Sequence, residues 1–484
     1  MTDTATPGPG AAVTVGLARE LAPWRAEVAY TLDTVLTIAG YARRWQWADP
    51  GAVVDVYYGP ADRGAGTLVT IPWSGRAFDR AGEEEPTGWL LDEGLPVVAF
   101  AGETASPLVV INGCMRHATD AVFAAFWWLS GAREPHYPRD RVDNVSLSGS
   151  FLRTSELAGR PWVSLWAAAL RERFEASGRP ARRPGWGAGA LALSHDVDYP
   201  EILRVIEWLR RPRDAAAIAS EAAPFWGFDA WADLSETMGS ASTFYFMARK
   251  GSLLRYAAGD PDAFYDVAAP RYRALTRHLL ERGCEIGLHA SFRSSEEPER
   301  FAREKARIEE VCGRTIIGNR QHYWRLYPDA PHETLAHLAE AGFVYDSSLA
   351  FERMPGFRRG VCHPFRPWHA GRRAAIDLVE IPPAWMDDHY DGRLPDTGIT
   401  SPERHAAGLL GDVVASGGIA VLDYHVRGMN ERFFPRWGKW LRGFLSEARP
   451  AELEGRTPGE LAMLWREHEA ALAARSSQDW KESP

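Results

Sequence analysis

The chain has 484 residues, 45% of them hydrophobic and 25% charged, which suits two domains with a sizeable core. Its 55 basic and 64 acidic residues give a net charge of −9 without long single-sign blocks, which argues against nucleic acid as a partner. No apolar run of about 18 residues reads as a membrane span. The start, Met1-Thr-Asp-Thr-Ala-Thr-Pro-Gly, lacks the basic and apolar regions of a signal peptide. Cys114, Cys284, Cys312 and Cys362 lie far apart with no C-x-x-C pair, so they read as reduced thiols of a cytoplasmic protein.

In chain order, residues 1–14 read as a disordered Pro/Gly/Ala tail. Leu17, Leu21, Val28, Leu32, Val35 and Leu36 predict an amphipathic helix from Leu17 to about Tyr41. A β-rich stretch follows, with Val53–Tyr58, Thr67–Ile71, Val97–Phe100 and Pro107–Ile111 as strands punctuated by Gly, Pro and Asp. Asp120–Leu129 reads as a buried helix stopped by Gly131. Residues 15–180 are thus expected to form a smaller α+β domain whose side chains name no chemistry. The Pro/Gly/Arg-rich segment Gly178–Gly187 marks its boundary.

Beyond it, short apolar runs alternate with amphipathic stretches. The predicted strands are Ala190–Leu193, Ser242–Phe246, Cys284–Leu288, Thr315–Gly318, Phe343–Tyr345, Leu378–Ile381 and Ile419–Leu422. Between them Ala268–Arg282, Glu297–Val311 and Pro331–Ala341 read as helices. Such alternation implies right-handed crossovers and a parallel sheet. Seven strands over residues 186–450 fit a (β/α) barrel better than a dinucleotide-binding sheet, and no G-x-G-x-x-G follows the first strand. Residues 451–484 form a C-terminal helical segment, where Thr457-Pro-Gly-Glu460 is a capping box opening a helix through Ala473.

Polar residues collect at the strand ends, where barrels carry their chemistry. The first strand ends in His195-Asp196-Val-Asp198, the third in His289-Ala-Ser291 and the fourth in Arg320-Gln-His322-Tyr323. The fifth ends in Asp346-Ser-Ser348 and the last in Asp423-Tyr-His425. Residues i and i+2 of a strand share a side, so Asp196 and Asp198 face one cavity. Two carboxylates that close resist joint ionisation unless a cation neutralises one, which suits a metal ligand beside a general base.

Asp196-x-Asp198, Thr243-Phe-Tyr-Phe, Glu285-Ile-Gly-Leu-His289, Arg320-x-x-Tyr323 and Leu422-Asp-Tyr-His425, in this order, resemble the polysaccharide deacetylase (NodB-homology) superfamily. The resemblance covers residues 186–450 and implies a distorted (β/α) barrel that removes N-acetyl groups from amino sugars with one divalent metal ion, zinc first. Asp196 resembles the general base. Asp198 and His289 resemble metal ligands, and Arg320 the residue that orients the base. His425 resembles the acid that protonates the leaving amine, and Leu422 the apolar wall beside the acetyl methyl. The Phe126-Trp-Trp-Leu-Ser-Gly131 run resembles the N-terminal extension of a subgroup linked to surface polysaccharides.

One departure matters. The family's third motif ends in His-x-x-x-His, whereas here Arg293 stands four residues after His289 and cannot ligate. Two ligands make a weak site, because catalytic zinc usually has three. His322 is the preferred third ligand, ahead of Ser291 or Ser294. Tyr323 and Arg358, the latter in the Gly/Pro-broken loop Met354–Phe365, are candidate substrate contacts. Adjacent side chains point apart, which argues against Cys362–His363 as a thiol nucleophile. Asp387-Asp388-His389 reads as a solvated turn. The expected partner is an amino sugar or saccharide precursor. The competing classes are a saccharide-binding protein that has lost its metal and a barrel with a different metal-dependent hydrolysis.

Overall fold

A computed structural model of the chain describes residues 10–48, 53–60, 66–92, 95–140, 142–146, 151, 159–201, 216, 225–390, 402–448 and 453–478. Two sheets organise them.

The smaller sheet begins with β1 (Ala12–Leu17), α1 (Arg25–Ala39) and β2 (Ala42–Trp47). It continues with β3 (Val56–Gly59) and β4 (Val69–Pro72); β5–β6 (Gly88–Asp92, Leu95–Ala99) is a two-stranded hairpin apart from it, and the hairpin β7–β8 (Val109–Ile111, Cys114–Arg116) completes one edge of the sheet. α1 crosses over between two strands that pair in parallel, and most of this sheet is parallel, with antiparallel pairing confined to the hairpin β7–β8. α2 (Ala121–Ser130) and α3 (Trp162–Ala176) pack beside it.

Two expectations shift here. The expected tail ends sooner than residue 14, because Ala12, Val13 and Thr14 already pair with β2; residues 1–9 lie outside the described residues. The first helix starts at Arg25 and not at Leu17, because Leu17 closes β1 and a 3-10 turn containing Pro23 intervenes. Asp120 caps α2 by accepting from Phe123 N–H, and Gly131 ends it in the left-handed conformation (φ 60°).

The larger sheet is the distorted (β/α) barrel. Its strands are β9 (Ala190–Val197), β10 (Thr243–Phe246), β11 (Glu285–Ala290), β12 (Gly318–Gln321) and β13 (Tyr345–Asp346). After a short hairpin, β14–β15 (Trp368–His369, Ala374–Ala375), come β16 (Val379–Glu380), β17 (Trp385–Met386), β18 (Ile419–Asp423) and β19 (Glu454–Gly455). All pair in parallel except the hairpin, in the order β16-β13-β12-β11-β10-β9-β18-β17, with β19 beside β9. The two edge strands are consecutive in sequence. Ile381 N–H bonds Asp346 O at one edge, and Ala384 N–H bonds Val421 O at the other. Three residues span at most about 11 Å, so the chain itself draws the edges together where strand pairing stops.

Strand β12 starts at Gly318, where the predicted Thr315–Gly318 run ends. The expected boundary segment is tied on several sides: Pro180 O accepts Ala11 N–H, Arg182 N–H reaches Gly40 O, and the Trp186 indole reaches Gly417 O. The capping box at Thr457 is present and opens α4 (Pro458–Ala473). A last strand, β20 (Ser477–Gln478), pairs with β2 of the smaller sheet. No described helix is long and apolar enough to cross a membrane.

Candidate functional site

Alternation along β9 sorts its side chains. Ser194, Asp196 and Asp198 face the barrel interior, whereas His195 faces outward to Ser242, Trp231 and Phe244. Into the same interior come His289 from β11, Arg320 from β12, and Asp423 and His425 at the end of β18. All are buried.

Arg320 is the hub. Its Nη1 lies 3.1 Å from Asp196 Oδ1 and 3.0 Å from Asp423 Oδ1. Nη2 donates to Ser194 Oγ (2.8 Å) and Ser347 Oγ (3.0 Å), and Nε to Ser347 O (3.1 Å). Its guanidinium lies 4.5 Å from the Tyr245 ring centroid. With every nitrogen engaged, Arg320 fixes the Asp196 carboxylate and leaves Oδ2 facing the cavity. Burial, then Asp196, push Asp423 up to about 8 against the pull of Arg320. Arg320 thus stands between two buried carboxyl groups, of which Asp423 is the one whose ionisation burial and its like-charged neighbour oppose.

Asp198 sits among three imidazoles. Oδ1 is 3.1 Å from His289 Nε2 and 3.7 Å from His322 Nε2, and Oδ2 is 3.1 Å from His425 Nε2. Burial alone would raise its pKa, but His322, His289 and His425 together hold it well below the usual range. One ligand atom each from Asp198, His289 and His322 lies within 4.8 Å of the others. Asp198 Oδ1, His289 Nε2 and both His322 nitrogens have no hydrogen-bond partner among the described residues. Buried polar atoms are almost always satisfied, so an Asp/His/His cluster left open fits a divalent cation by its donor set.

His425 is held from behind by Asp387. Its Nδ1–H donates to Asp387 Oδ1 (2.9 Å) and its backbone N–H to Oδ2 (2.7 Å). Burial would push His425 down, but Asp387 and Asp198 outweigh it and keep the ring well above its ordinary value. The solvated turn expected at Asp387-Asp388-His389 is thus corrected: Asp387 and His389 are buried, and only Asp388 is exposed. The signal was available, since Asp387 follows a barrel strand as the other acids do.

The remaining sequence candidates separate. Tyr323 stands beside the cluster, its ring 4.5 Å from that of His322. Arg358 does not contact the cluster: Nε and Nη2 clasp Glu134 Oε1 and Oε2 (2.8 and 2.7 Å), and Nη1 reaches Ala350 O. It joins the two parts of the chain, and its donors are taken. Leu422 is also corrected, because its neighbour Asp423 faces inward; Leu422 therefore faces away from the cavity, on the side where Tyr424 packs on Trp231 and Trp440. Arg293 points to solvent beside Glu296 (3.6 Å). The Ser291 hydroxyl is spent on Glu304 and the Ser294 hydroxyl on Ser291 O. Of the three substitutes weighed, His322 alone reaches the cluster. Asp262, 3.5 Å from His322 Nδ1, gave no signal in the sequence.

No family model and no curated protein matches the chain. Among solved structures it is similar to a Mycobacterium smegmatis protein assigned to the polysaccharide deacetylases, at 20% identity and a TM-score of 0.38 over 63% of this chain and 97% of that one. A peptidoglycan deacetylase from Bacillus subtilis follows at 10% identity and 0.30, over 59% and 96%. A polysaccharide deacetylase from Bacillus cereus follows at 12% and 0.28, over 56% and 91%.

Proposed function

We propose that the protein is a metal-dependent amide hydrolase that removes N-acetyl groups from an amino sugar or saccharide precursor. The observation that carries this reading is the convergence of Asp198, His289 and His322, their buried ligand atoms open, between a fixed carboxylate and a held imidazole. A divalent ion there, zinc by its taste for imidazole and carboxylate, would polarise the amide carbonyl and make the attacking water more acidic.

The chain's own residues supply the proton traffic. Asp196 Oδ2 takes the proton from water, because Oδ1 is pinned by Arg320. An amide nitrogen leaves poorly unless protonated, and His425 Nε2–H is the donor, with Asp387 holding the opposite nitrogen. Tyr323 offers an aromatic face at the edge of the cluster, which suits a sugar ring.

Arg293, in place of a second motif histidine, favours a second reading: a saccharide-binding protein without metal or reaction. Metal content and acetate release from N-acetylated amino sugars separate the two. The hydrolase reading expects one ion per chain, and Asp196→Asn keeping that ion while losing nearly all turnover. A chain without metal, or an Asp196→Asn variant as active as the parent, overturns it.

A further inference from the structure

His322 is held unlike the other candidate ligands. It follows β12 on a tight turn in which Tyr323 (φ 56°) and Trp324 (φ 51°) both take the left-handed conformation that residues other than glycine rarely adopt. Two such residues in succession are costly and persist where surroundings impose them, often at functional sites. The turn sets the His322 ring 5.0 Å from that of His289, with Nε2 toward Asp198. Behind the ring stands Asp262, its Oδ1 3.5 Å from Nδ1. Asp262 is itself locked: Oδ1 accepts Phe292 N–H (2.8 Å) and Oδ2 accepts Arg249 Nη1–H (2.9 Å). Arg249 also meets Asp260 at 3.0 Å.

A neutral imidazole carries one N–H and one lone pair, and a metal ligand needs the lone pair forward. A lone pair on Nδ1 would be repelled by the buried carboxylate it faces, whereas Nδ1–H is attracted. At 3.5 Å the contact is longer than a hydrogen bond, so Asp262 acts by charge. His289 reaches the same state by another route, its Nδ1–H donating to Arg320 O at 2.9 Å. Both rings then present Nε2 to one oxygen of Asp198.

Resting on the metal site proposed above, we infer that Asp262 is a positioning residue that fixes the tautomer and direction of His322 and so makes it the ligand that Arg293 cannot be. Carboxylates behind ligating histidines commonly strengthen metal affinity 10–100-fold.

Two measurements on the full-length protein decide it. In zinc-loaded wild type, nitrogen-15 spectra of the imidazoles should show the His322 proton on Nδ1 and the metal on Nε2; a metal on Nδ1 overturns the inference, and this needs no variant. Asp262→Asn should weaken cobalt(II) affinity about 10–100-fold in chelator competition, with one ion still bound at saturation and the cobalt absorption bands shifted. A residue that merely supports the fold would lower the melting temperature and leave the affinity and bands of the folded protein unchanged, which also overturns it. Wild type that binds no cobalt or zinc sinks the proposed function; wild type that binds and an Asp262→Asn variant that binds equally well sinks this inference alone.

Discussion

Asp387 grips His425 at two points, taking its ring N–H on one oxygen and its backbone N–H on the other. The ring can therefore neither flip nor shift along the strand end, and its Nε2 is the nitrogen that faces Asp198. Asp387→Asn should lower turnover by roughly 10–10³-fold without changing bound metal, and His425→Ala by roughly 10²–10⁴-fold. Steady-state acetate release alongside metal analysis checks both. Parent-like turnover in both variants would remove His425 from the chemistry.

His322→Ala should weaken metal affinity sharply, because it removes one of three converging donors. Arg293→His, which restores the motif's spelling, should leave affinity unchanged, since that side chain is half-exposed and turned toward Glu296. Chelator competition on the two variants measures the contrast. The opposite ranking would move the site to the motif position.

Glu304 gives a pH dependence away from the cluster. Burial pushes its carboxyl up to about 7 from 4.5, against hydrogen bonds from Ser291. Its folded pKa lies above its unfolded value, so between about pH 4.5 and 7 the folded state binds more protons. Stability should therefore fall as pH rises through that window. Glu304→Gln should flatten that part of the profile in urea unfolding from pH 4 to 8. A slope as steep as the parent's would show that Glu304 does not carry it.

The clasp between the two parts of the chain is buried: Glu134 receives Arg358 on both oxygens and Arg359 at 3.0 Å. Removing one partner of such a cluster strands the others without compensation. Glu134→Gln should cost about 3–5 kcal/mol, read by denaturant unfolding, while acetate release by the folded fraction stays near the parent's. A rise in KM with unchanged stability would return Arg358 to the substrate pocket.

The barrel strands were legible because their apolar faces turn outward to helices, as in β9 and β18. Strand β12 was not, because Asn319, Arg320 and Gln321 are buried in hydrogen bonds to Asp346, Ser347 and Ser294, and hydropathy does not register polar residues buried in partnership. The family order led to Asp196, Asp198, His289, Arg320 and His425, which the fold brings to one cavity. It misled at Leu422, where strand alternation decides, and loop composition misled at Arg358, whose partner lies 224 residues away. Asp262 was missed because it matters through a contact made only when distant segments meet, whereas Asp387 was read as a solvated turn although it follows a barrel strand as the other acids do.

Strand β20 closes the edge of the sheet that β1 and β2 begin, and Arg43 N–H meets Ser476 Oγ across 433 residues of sequence. At 5–20 residues per second, ribosomes need about 20–90 seconds to make that interval. Through that time β2 offers a bare edge to any strand nearby, and bare edges recruit neighbours. Early strands of this chain are therefore exposed to mispairing on the ribosome until the last helix and strand emerge, and cells making many copies at once would meet that hazard first.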